Sequence, residues 1–301
     1  MDWLFLVIQT LNGIQYGLLL FLIASGLTLV FGIMGIINLA HGSFYMIGAY
    51  LAFSFTQWTG SLPVAILLGI PVTLLLGLLI EKCFIVHLYK RDHLQQVLLT
   101  FGLILIFNEM QLIIWGGDPN GVPVPPVLSG SIPISDTLNY PVYRIFLSLV
   151  CLVLAGLLAL VIQKTRIGMR IRAGFSNREM VEILGVNVRL LYAIVFSVGV
   201  TLAGVAGMLA APVETVYPGM GEQIAETLRE MAAEQSPGRF ERPDRATSGL
   251  FVDRRTSGPV LDPANVAAGK TALLIIDIQH LFRPAHLNQL RKILMEWCTL
   301  R

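Results

Sequence analysis

Six runs of the chain, 11–33, 44–58, 62–80, 97–115, 142–162 and 191–211, each carry at most one charged residue. A helix rises about 1.5 Å per residue and a hydrocarbon core is about 30 Å thick, so roughly 20 apolar residues suffice to cross it. All six runs are read as membrane-spanning helices. The second is short and is expected to start inside residues 38–42 or to tilt little. The apolar lead before residue 11 has no basic region and no small-residue cleavage site, which makes it the start of the first helix rather than a signal peptide. Composition agrees: 55% of residues are hydrophobic and 13% charged, with a mean hydropathy of +0.71. Soluble domains carry roughly 25% charged residues. An ordinary soluble enzyme is excluded, and so is a disordered chain, which needs low hydrophobicity and high charge. A net charge of +2 gives no support for nucleic acid. Cys83, Cys151 and Cys298 form neither a disulfide framework nor a metal pattern.

The averages conceal a change of solvent. Residues 1–217 hold ten Lys/Arg and nine Asp/Glu, about 9% charged, against eleven and ten, about 25%, in 218–301. A membrane region therefore ends near Pro218 and a polar tail follows. The fold class expected is an all-α polytopic membrane protein with about six transmembrane helices and a short α/β-like or disordered C-terminal tail. Orientation follows from the short loops. Lys82, Lys90 and Arg91 lie in the 81–96 loop, and Lys164, Arg166, Arg170, Arg172, Arg178 and Arg189 in the 163–190 loop, whereas 116–140 has no Lys or Arg. Both basic loops are expected in the cytoplasm and the amino terminus outside.

Small residues at every fourth position, Gly199, Ala203, Gly207 and Ala211, give the sixth helix a stripe for close helix packing. Polar groups inside spans are costly, so each is a candidate. Glu109, with Asn108 and Gln111, lies near the outer end of the fourth helix, as a pathway carboxylate or as a residue that snorkels. Asn12 and Gln15 suit inter-helix hydrogen bonds. Asn38 and His41 stand at a cytoplasmic helix junction, where a histidine serves as a cap or a relay. Asn38, His41, Asn108 and Glu109 are the candidates for a substrate pathway. In the 163–190 loop a basic segment precedes a run of helix formers, 178–184, closed by Gly185 as a C-cap. Such a segment can dock on a cytosolic partner or simply remain solvated.

Several stretches are shared with a known family: Asn12-Gly13, residues 26–32, Gly35-Ile-Ile-Asn-Leu-Ala-His-Gly42, 45–50, 100–108, Trp115-Gly116, 165–173, 184–187 and 202–217. Over residues 5–223 the chain resembles the permease subunit of the high-affinity branched-chain amino-acid ABC transporters. The resemblance implies import of branched-chain amino acids, or related small amides, in a bacterial inner membrane. It also implies a second permease subunit, two cytosolic ATPase subunits and a periplasmic substrate-binding protein. ATP would be bound by those partners, so the chain itself needs no cofactor and is not expected to be an enzyme. The ATPase-coupling role falls by the same resemblance on Arg172, Glu182 and Gly185, with Arg170 in support.

The tail departs from that family. Residues 224–234 read as a charged helix and 236–265 as a linker. Gly269-Lys270-Thr271 lacks the first glycine of a P-loop and precedes its strand instead of following it. Residues 271–282, with Asp277, Gln279 and Phe282, resemble the first strand of isochorismatase-like cysteine hydrolases. That family's lysine and nucleophilic cysteine have no counterpart here, so no catalysis is expected. The organisation expected is thus 1–223 truncated permease, 224–270 charged helix and linker, and 271–301 a hydrolase fragment, as in a rearranged reading frame. The alternative function is a membrane-anchored isochorismatase-like hydrolase.

Overall fold

The computed structural model describes residues 3–36, 38–89, 91–135, 138–176 and 178–234. The strand expected at 271–282, Asp277 and the linker beyond 234 lie outside the described residues. Residues 1–225 form one compact unit, and residues from Glu226 belong to a second.

In chain order the helices are α1 (Trp3–Met34), α2 (His41–Thr59), α3 (Leu62–Cys83), α4 (His93–Trp115), α5 (Val142–Lys164), α6 (Arg166–Ser176), α7 (Arg178–Ile183), α8 (Val188–Ala210) and α9 (Met220–Glu234). A hairpin of β1 (Ser131–Ser135) and β2 (Leu138–Pro141) precedes α5, with Ile132 opposite Tyr140. Helices are what lipid demands, because each backbone group then bonds within its own segment. α1, α3, α4, α5 and α8 are long and apolar enough to cross a membrane. The sixth expected span, α2, is a continuous helix of 19 residues but is less apolar than those five. It packs against α3 and α8, and Tyr45, Ala49, Tyr50 and Ala52 are fully buried. Enclosure by other helices removes the need for an apolar outer surface.

α8 is the axis of the bundle. An added Cβ at Gly204 would meet Thr73 of α3 at 2.7 Å, and one at Gly77 would meet the Ser197 backbone at 2.8 Å. Gly69 lies against Met208, so α3 runs antiparallel to α8. On another side Gly48 and Gly207 bring α2 so close that any side chain there would overlap the Gly204 or Tyr45 carbonyl. α1 crosses at Gly26 and Gly199, where each glycine's added Cβ would meet the other's carbonyl, at 2.8 and 3.0 Å. Ile33, at the end of α1, and Leu191, at the start of α8, both lie beside Gly174 of α6, which makes α1 antiparallel to α8 as well. Apolar helices gain no hydrophobic drive from meeting in lipid, so close backbone approach through small residues is what holds them together.

The two antiparallel helices share a local pattern. Gly26-Leu-Thr-Leu29 in α1 has its counterpart in Gly199-Val-Thr-Leu202 in α8. Thr28 donates to the Ala24 carbonyl at 2.8 Å and Thr201 to the Ser197 carbonyl at 2.7 Å, four residues back in both cases. Each helix then breaks and leads into another, α1 through residues 35–40 into α2 and α8 through 211–219 into α9. Gly35 closes α1 in the left-handed region, φ +66°, its N–H bonded to the Phe31 carbonyl. The starts of α2 and α9 meet at Gly42 and Gly221, each filling the space where the other's Cβ would stand.

Candidate functional site

Two regions carry the residues singled out from sequence. The first is the meeting of α2 and α9. His41 Nε2 lies 3.0 Å from the Ile23 carbonyl. Ile23 is 11 residues before the end of α1, about 16 Å along a helix. His41 is thus placed beside Ile23 and Gly26 rather than level with the end of α1, and α2 starts inside the bundle. His41 and Asn38 are each 3% exposed. Neither amide atom of Asn38 and not His41 Nδ1 has a hydrogen-bond partner among the described residues.

One turn further on, Tyr45 donates to Glu214 Oε2 at 2.9 Å. Asn108 of α4 donates to Glu222 Oε1 at 2.6 Å. Tyr217 donates to Gln223, and the backbones of Val216 and Asn120 exchange two hydrogen bonds of 2.8 Å. Burial, and then the nearby carboxylate of Glu214, push the Tyr217 phenol above its ordinary range. Residues 211–225 are thus fastened onto α2 and α4, and the compact unit continues past Pro218, where the charge density changes. Glu214 is half-buried and Glu222 exposed. Glu109, one residue from Asn108, is exposed as well. A step of one residue turns a helix by about 100°, so Asn108 reaches Glu222 while Glu109 points away from that contact. Gln111 is buried and donates to the Tyr50 hydroxyl at 2.8 Å. Asn12 accepts from Arg144 of α5 at 2.6 Å, and Gln15 is buried in α1.

The second region is the α5–α6–α7 segment. Thr165 accepts at 3.0 Å from the Gly168 N–H, and Gly168 presses so closely on the Ile162 carbonyl that a Cβ would overlap it. Arg172 donates to that same Ile162 carbonyl. A guanidinium at the last turn of α5 satisfies an orphan carbonyl and complements the helix dipole. Arg170, Glu182 and Gly185 are exposed, and Gly185 has φ +80°. Met180, Ile183 and Leu184 are exposed beside them. In α8, Gly199 lies against α1, Gly207 against α2, and Ala203 is fully buried.

Sequence reasoning passed over Tyr45, Glu214, Glu222, Arg144 and Gly168. Glu214 and Glu222 carried a signal, being acidic residues flanking a Pro-Gly break beside an apolar span. Nothing local marks Tyr45, whose partner is 169 residues away.

The bundle, its small-residue crossings and its basic loops define the class: a multi-pass α-helical membrane protein. Residues 9–225 match the family model described as "Branched-chain amino acid transport system / permease component", and the chain belongs to that family. It is 30% identical over 227 residues to the high-affinity branched-chain amino acid transport system permease protein BraD of Pseudomonas aeruginosa, covering 71% of this chain and 73% of that one. The Escherichia coli K12 permease protein LivH is 28% identical over 221 residues, 69% and 71% of the two chains. A probable branched-chain amino acid transport permease of Methanocaldococcus jannaschii is 28% identical over 228 residues, 71% and 69%. No solved structure matches the chain. These relatives are named as transport permeases.

Proposed function

We propose that the chain is the translocating subunit of an ATP-driven importer for branched-chain amino acids. In this reading it sits in the inner membrane with both basic loops in the cytoplasm. A second permease subunit, two cytosolic ATPase subunits and an external substrate-binding protein complete the system. It performs no chemistry of its own, and coupling is mechanical. ATPase closure biases an inward–outward equilibrium of the helices, and only a difference in affinity for the two states can move such an equilibrium.

The observation that carries this reading is the α6–α7 platform. Its root is tied to the end of α5 through Arg172, Thr165 and Gly168. Its surface offers Arg170, Met180, Glu182, Ile183 and Leu184 to a partner. Force applied there passes directly into α5, and through α7 into α8, the axis of the bundle. Asn38, His41 and Asn108 belong to the substrate path in this account, and Glu109 lines its outer mouth.

Glu182→Lys and Gly185→Val test the assignment in the assembled importer. Both are expected to lower recovery of ATPase subunits with the chain, and with it ATP hydrolysis stimulated by loaded binding protein. Unchanged values in both assays would remove the coupling role.

A further inference from the structure

Two helices begin inside the bundle, α2 and α9, and they begin against each other at Gly42 and Gly221. They follow α1 and α8, which run antiparallel and share a Gly-x-Thr-Leu pattern with the same threonine back-bond. Two antiparallel helices that each break and restart at a shared point resemble the interrupted helices of secondary transporters, in which substrate groups are held where such helices start.

Four polar groups collect within a turn or so of that meeting point. Glu214 accepts from Tyr45 and Glu222 from Asn108. Both donors are neutral, and among the described residues neither carboxylate has a cationic partner. Glu214 is half-buried and Glu222 exposed, and a carboxylate partly withdrawn from water gains from a counter-charge. Asn38 precedes the start of α2, is buried, and has both amide atoms unsatisfied. Ala40 offers α2 no capping side chain, and although the Ser43 N–H bonds the Ala40 carbonyl, the Asn38 amide beside this amino end is a donor in need of an acceptor. Acceptors for a cation and donors for an anion therefore stand along one turn of α2.

We propose that the start of α2 and the opposed start of α9 form a binding site for a small zwitterion, with Glu214 and Glu222 receiving an α-ammonium group and Asn38 with the α2 amino end receiving an α-carboxylate. The site rests on the reading of the chain as an amino-acid permease and gives that reading its recognition chemistry. Isoleucine, leucine and valine share these two poles and differ only in the aliphatic part, so one site of this kind serves all three.

The test uses the full chain assembled with its second permease and ATPase subunits, purified without binding protein. Saturation-transfer NMR compares binding of L-leucine with that of 4-methylpentanoate, which is leucine without its ammonium group, at millimolar concentration. The unmodified complex is expected to prefer leucine at least tenfold. Glu214→Gln and Glu222→Gln, which keep the shape and the hydrogen bonds to Tyr45 and Asn108, are expected to bring the ratio close to one. A preference that survives in both variants overturns the site. Should either variant fail to assemble, Asn38→Ala compared on L-leucine and leucinamide, which lacks the carboxylate, reads the other pole in the same way. Leucine uptake by the unmodified importer, supplied with binding protein, separates the two levels. If it takes up none of the three amino acids, the permease reading fails and the site with it; if uptake is present and the ratios do not move, the site alone fails.

Discussion

A single backbone angle decides how the platform between α5 and α8 ends. Gly185 holds φ +80°, a region where a Cβ costs roughly 1 kcal/mol or more, and an added Cβ there would touch nothing. Gly185→Ala should therefore act through the backbone alone, loosening the exit from α7 by about that amount. Hydrogen exchange at residues 184–187 should quicken while the bundle stays protected; unchanged exchange at these amides would argue against a conformational role. Arg172 presents the opposite case. Its charge invites assignment to an external partner, yet its guanidinium is occupied by the Ile162 carbonyl. Arg172→Ala is expected to detach α6 from the end of α5, so that proteolysis near residue 166 increases before any effect on membrane insertion. Arg170, exposed and pointing to solvent, should tolerate alanine in the same assay.

Helices were legible from sequence where lipid alone dictates them. The runs at 62–80, 142–162 and 191–211 became Leu62–Cys83, Val142–Lys164 and Val188–Ala210. α2 was the hardest to bound, because protein surrounds much of it and some of its polar residues are met by neighbours, Tyr50 by Gln111 and Ser54 by Trp115. Its start at His41 could not be placed along α1 from sequence, since the contact of His41 with the Ile23 carbonyl joins residues 18 apart. The stripe of Gly199, Ala203 and Gly207 pointed to a close crossing, but it did not tell that two different helices, α1 and α2, use it, or that the neighbouring Gly204 is shared by α2 and α3. Gly207→Leu should be the more damaging change at this scale. Its side chain would enter the backbone of α2 at Tyr45, an overpacking of about 3 kcal/mol or more. The chain should then be recovered from membranes at a small fraction of the normal yield. Gly102→Leu in α4, where an added Cβ meets nothing, should leave the yield unchanged and serves as the control.

At the scale of the molecule, charge density and packing divide the chain at different places. Charge rises near Pro218, whereas the compact unit runs on to Ala225 and the family match ends there as well. The reason lies in Glu222, a charged residue that composition assigns to a soluble tail but that accepts from Asn108 inside the compact unit, just as Glu214, counted with the membrane region, accepts from Tyr45. Polar groups of this kind are invisible to a hydropathy average. The central claim, that residues 1–225 form a working translocation unit driven through the α6–α7 platform, is tested most directly by uptake of labelled leucine into proteoliposomes. These would hold the chain with its second permease and ATPase subunits, with ATP inside and loaded binding protein outside. The account predicts ATP-dependent leucine accumulation that falls at least tenfold with Glu182→Lys. An assembled, ATP-hydrolysing complex that accumulates no leucine, or one that Glu182→Lys leaves at full rate, would contradict it.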